Sequence, residues 1–161
     1  MITLIRFLQV FSLGVWVGSI LYFGAVVAPA AFTVLTSDQA GALVGLSLTR
    51  LHLLGVAAGV VYLVATAVGE RSVSALVRPA PLIVALMIVL TLVLQFYVIG
   101  TMEALRAQMI SSMGSVSATP ATNPLRAGFD RLHTVSVRLE MAVLLGGIAA
   151  LVFSVRKIPS P

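Results

Sequence analysis

The sequence contains no cysteine among its 161 residues. Without a thiol, the chain forms no disulfide, has no thiolate nucleophile and offers no cysteine ligand to a metal. It also lacks the sequence patterns of nucleophilic triads, phosphate-binding loops and zinc sites. We therefore favour a protein that is not an enzyme, we predict no cofactor, and the sequence identifies no metal ligands.

Charge is scarce as well. Charged residues make up 9% of the chain and hydrophobic residues 60%, whereas a soluble domain carries about 25% charged residues. The mean hydropathy is +1.12. The formal net charge is +5, but the Arg and Lys residues lie at the ends of apolar runs and form no basic stripe. We therefore expect the lipid bilayer as partner and no nucleic acid.

Apolar runs longer than the ~20 residues that span a bilayer predict four transmembrane helices. The predicted helices cover about residues 2–35, 37–69, 80–110 and 124–156. The first run exceeds the apolar core of a signal peptide, about 7–15 residues, so we expect a helix and not a cleaved signal peptide. Short connections favour one domain over 1–161: an all-α integral membrane protein, built as an up-down-up-down four-helix transmembrane bundle.

Local signals mark two helix starts. Thr36 is followed three residues later by Gln39, which is the capping-box pattern. Asn123-Pro124 gives an N-cap with proline in the first helical turn. The uncharged segment Ser111–Asn123, rich in Ser, Thr, Gly and Pro, predicts a solvated loop. Glu70–Pro81 predicts a short polar connection.

The basic residues in loops predict the orientation of the bundle. One side carries Arg6, Arg71, Arg78, Arg156 and Lys157 against a single acidic residue, Glu70. The arginines of the opposite side lie within helices and are mixed with acidic residues. Because loop Lys and Arg residues near helix ends favour the cytoplasm, we predict cytoplasmic termini, in the inner membrane of the cell.

Ionisable groups inside apolar helices are costly, so they are candidates for function. Counting ~1.5 Å per residue from the predicted cytoplasmic helix ends places His52 at ~26 Å and Glu140 at ~24 Å. The same depth falls near Tyr22 in the first helix and Gln95 in the third. We predict a polar layer of these side chains, with Arg50 and Arg138 beside it, that binds a ligand or a proton.

A second group of polar residues is predicted further out. His133 and Glu103 both lie at ~35 Å by the same count, close to Arg106. Arg126, His133 and Glu140 recur every seven residues along one helical face. These positions predict an outward-facing vestibule, lined by His133, Glu103 and Arg106, that narrows to the polar layer.

Two alternative interpretations of the polar residues stay open. In the first, a set of charges pair with one another at the interface and hold the helices in register; they are Arg126, Asp130, Arg131, Glu103 and Arg106. In the second, the two histidines, His52 and His133, ligate a b-type haem between the helices. The count separates the histidines by ~9 Å in depth, so we expect no haem and predict instead that His133 pairs with Glu103.

Small residues recur at a spacing of four. The pairs are Gly14 and Gly18, Gly41 and Gly45, and Gly55 and Gly59. Such pairs let helix backbones approach closely. We favour close packing within one bundle over a dimer interface.

Several segments resemble the domain of unknown function 4149 family, which is related to transmembrane protein 205. They are Gly18–Phe23, Ala28–Phe32, Ala40-Gly41 and, as the most specific segment, Phe129–Ser136, which resembles Phe-x-x-Leu-His-x-x-Ser. Phe96-Tyr97 followed by Leu105-Arg106 resembles a further segment, with Gly100 in place of an expected proline.

The resemblance implies a four-helix membrane protein and an association with export of, or resistance to, toxic metal or metalloid species. A looser likeness to copper-resistance and haem-associated membrane proteins accompanies it. Our leading hypothesis is a protein that binds or transports a small solute, either a metal or metalloid species or an organic molecule. The alternatives are an accessory subunit of a larger membrane complex or a homo-oligomer, and a haem-binding redox protein.

Overall fold

The computed structural model describes residues 2–156, and in that range the chain forms long helices and no strand. Four of the helices are long and apolar enough to cross a membrane. They are α1 (Thr3–Val34), α2 (Ser37–Glu70), α3 (Pro79–Met113) and α4 (Pro124–Val155). The predicted fold class, an all-α membrane protein with four transmembrane helices, is confirmed. Lys157, used above for the orientation, lies outside the described residues.

Side-chain hydrogen bonds form both predicted helix starts. The backbone N–H of Gln39 donates to Thr36 Oγ1 at 3.4 Å, and the N–H of Thr36 donates to Gln39 Oε1 at 3.3 Å. At the start of α4, the N–H of Leu125 donates to Asn123 Oδ1 at 2.9 Å. These bonds use backbone donors that a helix start leaves without partners, so the sequence around each start is enough to set it.

The loop before α4 differs from its prediction. α3 continues to Met113, so the first three residues of the predicted loop are helical, and Gly114 ends the helix in the left-handed region with φ 84°. The remaining loop is hydrogen-bonded to the start of α2 and to the start of α4. The N–H of Val116 donates to Asp38 Oδ1 at 3.0 Å, and Arg126 Nη1 donates to the carbonyl of Val116 at 3.1 Å.

Contacts between side chains give the directions of the helices. Gln9, early in α1, donates to Thr66, late in α2, at 2.8 Å, so these two helices are antiparallel. Tyr62 of α2 and Ser154 of α4 are hydrogen-bonded at 2.9 Å, so those two helices point the same way. We call the end of the bundle that contains these pairs the proximal end, and the end that contains the start of α2 and the start of α4 the distal end.

Two helices contain a π-helical segment. One covers Phe23–Val27 in α1, just before Pro29, and the other covers Leu94–Ile99 in α3, just before Gly100. A π turn adds a residue to the helical turn, so it changes which side chains face the neighbouring helices. In α3 the segment contains Gln95, whose side chain reaches α2.

The apolar core has two parts. The proximal part contains Trp16, Met87 and Val143, and the distal part contains Leu94, Val98 and Met102 with Leu139 packed against them. On α4, Leu139 belongs to the distal part and Val143 to the proximal part, and Glu140 lies between them. A polar residue therefore marks the junction of the two cores.

Trp16 lies directly against the backbone of α2. The indole is 1% exposed, and a Cβ built at Gly55 would be 2.2 Å from its Nε1 atom. A Cβ at Gly59 would be 2.7 Å from the Cζ3 atom of the same ring. In contrast, a Cβ at Gly14 or Gly18 would meet nothing within 4 Å. Close packing thus explains the Gly55 and Gly59 pair and leaves Gly14 and Gly18 open.

The four helices are longer than a bilayer requires. They contain 32 to 35 residues, or ~48–53 Å at ~1.5 Å per residue, against a hydrocarbon core of ~30 Å. Arg50 and Arg138 are exposed and lie ~26–30 Å from the proximal ends of their helices by the same rise. Because a lipid-exposed arginine is costly in hydrocarbon, a bilayer fits best with these arginines at its distal boundary.

Gly55→Ala tests the packing of Trp16. We expect the free energy of unfolding to fall by about 1–3 kcal/mol, because the rigid indole has no space for the added methyl group. Gly14→Ala is the matched control, since it makes the same change where space is open. It should leave stability unchanged or raise it by about 0.5–1 kcal/mol. Equal effects of both variants on unfolding in mixed detergent micelles would contradict this packing.

Candidate functional site

His52 is held by side chains from two other helices. It is 2% exposed. Its Nε2 atom lies 3.2 Å from Glu140 Oε2 of α4, and its Nδ1 atom lies 2.7 Å from Gln95 Oε1 of α3. The structure therefore brings together three of the four side chains of the predicted polar layer.

The partners of His52 restrict where its protons can lie. Beside an ionised Glu140 both partners are acceptors, so each ring nitrogen then donates a hydrogen and the ring is the positively charged imidazolium. A neutral ring with its hydrogen on Nδ1 fits the same contacts when Glu140 carries the proton. The charge lies beside the Glu140 carboxylate, whose side chain is 20% exposed. A buried charge needs such a partner because lipid and apolar side chains offer none.

The hydrogen bonds continue from His52 to Thr49. Gln95 Nε2 donates to Thr49 Oγ1 at 3.4 Å, and Thr49 Oγ1 donates to the carbonyl of Gly45 at 3.2 Å. Thr49 is uncharged, so it was not among the ionisable residues predicted for the site. Its position three residues before His52, on the same helical face, is the signal that identifies it.

Beside the Glu140 carboxylate, a neutral His52 fits the same site only if Gln95 turns over. With one hydrogen on Nε2, the Nδ1 atom becomes an acceptor and needs a donor. Rotating the carboxamide of Gln95 by half a turn supplies its NH₂ group to His52 and presents its oxygen to Thr49. The hydroxyl of Thr49 then becomes the donor in the bond to Gln95. The protonation of His52 and the hydrogen bonding of Thr49 are therefore linked.

Thr49 also lines an open groove at the distal end. This distal groove has a volume of about 440 Å³, and its polar lining comes from Thr49, Glu103 and Arg106, with aliphatic lining from Ala42, Leu46 and Ile99. Arg106 Nη1 lies 4.0 Å from Glu103 Oε1, and Arg106 Nη2 donates to the carbonyl of Asp38 at 2.6 Å. The groove thus presents a carboxylate, a guanidinium and a hydroxyl.

The glycine pair Gly41 and Gly45 makes room for these charges. A Cβ at Gly45 would be 3.1 Å from Glu103 Oε1, and a Cβ at Gly41 would be 3.6 Å from Arg106 Nη1. The two side chains of α3 therefore lie close against the backbone of α2. This pair serves the groove and not a contact between helix backbones.

Several predicted site residues do not join the polar layer. Tyr22 is 62% exposed, and Arg50 and Arg138 also face outward. His133 is exposed, and it is not among the residues that line the distal groove. The predicted pairing of His133 with Glu103 is wrong: within residues 2–156, Glu103 has its ion pair with Arg106.

Two of the charges near the start of α4 pair with each other within that helix, so this pair does not hold neighbouring helices in register. Arg126 Nε lies 3.0 Å from Asp130 Oδ1, one helical turn away. Potential metal ligands do not form a cluster among the described residues. In the part of the chain that the structure describes, no three His, Asp or Glu side chains lie together as a metal site requires.

Comparison with known proteins identifies a family. A family model described as a domain of unknown function, DUF4149, matches residues 11–111. No curated protein and no solved structure matches the chain, so the relation to transmembrane protein 205 stays a prediction. The matched residues include Thr49, His52 and Gln95, whereas Glu140 and the Phe129–Ser136 segment lie beyond them.

Gln95→Leu tests the polar layer. It leaves His52 Nδ1 without a partner in an apolar environment, so we expect the free energy of unfolding to fall by about 1–3 kcal/mol. Tyr22→Phe should change stability little, because the phenol is exposed and forms no bond to the layer. Thermal unfolding in detergent measures both variants, and a larger loss for Tyr22→Phe would contradict this assignment.

Proposed function

This chain belongs to the DUF4149 family of membrane-type helical proteins. We propose that it binds a small polar solute in the distal groove. Binding is linked to the proton on His52. The observation that supports this proposal is the continuous series of hydrogen bonds from Glu140 through His52 and Gln95 to Thr49, because Thr49 is also part of the groove lining.

Each side chain has a distinct role in this proposal. Glu103 accepts hydrogen bonds from the solute, and Arg106 donates them. Thr49 contacts the solute from the side of the groove nearest His52. Gln95 transmits the protonation state of His52 to Thr49, and Glu140 balances the charge of the imidazolium. Arg50, Arg138, Tyr22 and His133 have no part in it, because they do not line the groove.

The groove favours a particular class of solute. The opposite charges of a carboxylate and a guanidinium side by side largely cancel at a distance. The groove therefore attracts a free ion of either sign only weakly. A neutral or zwitterionic molecule that both donates and accepts hydrogen bonds matches the pair better. A hydroxylated metalloid such as arsenous acid and a small organic amide both meet this description.

Transport would require a further step. Between the distal groove and the proximal end, Trp16 fills the space between α1 and α2, against Gly55 and Gly59. A solute that passes between these two helices therefore needs α1 to move relative to α2. Such movements of packed helices are common in transport proteins, where one bundle of helices rocks against another around a fixed site.

Proton-linked binding is tested by calorimetry with arsenous acid as the probe. We expect the wild-type chain to exchange protons on binding, which is measured by comparing heats in two buffers of different ionisation enthalpy. Glu140→Gln should reduce this exchange to near zero, because the variant no longer stabilises the imidazolium. Tyr22→Phe is the control and should behave as the wild type does.

Binding of arsenous acid that is equal in the wild type and in Glu103→Gln with Arg106→Gln would exclude the groove as the site. Uptake into reconstituted vesicles then tests transport itself. If the solute is carried together with protons, Glu140→Gln should lose uptake, and unchanged uptake would contradict the role of His52.

An accessory role in a larger complex is a second candidate. The feature that favours it is the open pair Gly14 and Gly18 on the outside of α1, where neighbouring atoms leave space. Small residues on an exposed membrane helix permit close approach of another helix. Copurification in mild detergent tests this candidate, and a chain that runs alone or only with itself would argue against a complex.

Haem binding is the weakest candidate, and we predict that the purified protein is colourless. Both ring nitrogens of His52 already have partners, so iron ligation would break one of these bonds, and His133 is exposed. An absorption spectrum of the oxidised and reduced protein is the measurement. A Soret band that disappears in His52→Ala would overturn this prediction.

A further inference from the structure

A second cavity lies at the proximal end of the bundle and is separate from the polar layer. Its volume is about 470 Å³, and all four helices contribute to its lining. The apolar lining includes Phe7, Val10 and Phe153, and the polar lining includes Gln9, Tyr62 and Ser154. Its size and mixed lining are those of a site for a small organic molecule.

The directions of the hydrogen bonds in this cavity follow from counting hydrogens. Ser154 Oγ donates its single hydrogen to the carbonyl of Ala150 at 2.7 Å. In the 2.9 Å bond between Tyr62 Oη and Ser154 Oγ, the phenol of Tyr62 is therefore the donor. Its hydrogen is used, and its oxygen lone pairs remain as acceptors.

The same count fixes the orientation of Gln9. Thr66 Oγ1 donates its single hydrogen to the carbonyl of Tyr62 at 2.8 Å. Thr66 can then only accept from Gln9, so the nitrogen of the Gln9 carboxamide faces Thr66 at 2.8 Å. The carboxamide oxygen of Gln9 remains as an acceptor. The hydroxyls of Tyr62, Ser154 and Thr66 thus offer acceptors and no free hydrogen, and the other donors of the lining are the second amide hydrogen of Gln9, the hydroxyl of Thr3 and the guanidinium of Arg6.

The charges at the cavity select against a cation. Arg6 and Glu70 both belong to the lining, but Glu70 is already paired with Arg78. The guanidinium of Arg6 therefore sets the sign of the remaining charge. A positively charged amine would meet this repulsion, whereas a neutral donor such as a hydroxyl or an amide N–H would not.

We propose that the proximal cavity binds a neutral amphipathic molecule that carries a hydroxyl or amide N–H group. The apolar body of the molecule packs against Phe7, Val10 and Phe153. Its hydrogen is donated to Tyr62 Oη or to the carboxamide oxygen of Gln9. This site does not depend on the distal groove, since it shares no lining residue with it.

A matched pair of probes tests this site. 2-Naphthol and 2-methoxynaphthalene have the same ring system, but only the naphthol donates a hydrogen bond. Equilibrium dialysis against protein in lipid nanodiscs, with empty nanodiscs subtracted, measures binding beyond partition into lipid. We expect the naphthol to bind about 3- to 10-fold more tightly, which is the range for one net hydrogen bond.

Two variants distinguish the proposed hydrogen bonds from nonspecific binding. Ser154→Ala frees the hydrogen of the Tyr62 phenol, so the wall gains a donor and the preference for naphthol should disappear or reverse. Gln9→Leu removes the other acceptor and leaves the bond from Thr66 to Tyr62 intact, so it should weaken naphthol binding and leave ether binding unchanged.

Glu140→Gln is the control for the distal site and should retain the full preference for naphthol, so that failure of either site is seen separately. Equal binding of both probes to the wild type would overturn the proposal. The same holds if the preference survives unchanged in both Ser154→Ala and Gln9→Leu.

Discussion

A buried imidazole in a bundle surrounded by lipid must find its hydrogen-bond partners within the protein, and much of this structure follows from that constraint. His52 of α2 obtains one partner from α3 and one from α4. These two bonds fix both the height and the rotation of three helices. A shift of one residue along α4 would move Glu140 by about 1.5 Å in height and about 100° around the helix, and the bond would be lost.

α1 is held by a different kind of interaction. It contributes no side chain to the hydrogen bonds of His52, and it places the indole of Trp16 against two glycines of α2. Such packing depends on shape and is not directional in the way that a hydrogen bond is. The bundle therefore combines three helices joined at His52 with a fourth joined by close contact and by the bond from Gln9 to Thr66, and the latter is the helix that can move without breaking the polar layer.

The sequence predicted heights within the bundle better than it predicted faces. In helices that rise regularly, a residue count converts directly into depth, which is why His52, Gln95 and Glu140 were expected at one level and are found together. The same count placed Tyr22 at that level, but its side chain points outward. Depth says nothing about rotation, and π segments such as Leu94–Ile99 change rotation within a helix.

Helix starts at Thr36 and Asn123 were predictable because their hydrogen bonds are local. The end of α3 was not, because the serines before Gly114 fit either a loop or a helix. Thr49 and the proximal cavity were missed because uncharged polar side chains give no signal until their neighbours are known.

Trp16 is the single tryptophan of the sequence, and it lies at the contact between α1 and α2. The tryptophan fluorescence of the protein therefore comes from one buried indole whose surroundings are set by the spacing of those two helices. Any separation of α1 from α2 would admit lipid or water to the ring and change its emission. The chain thus contains its own optical reporter of helix separation, and this reporter lies between the distal groove and the proximal end of the bundle.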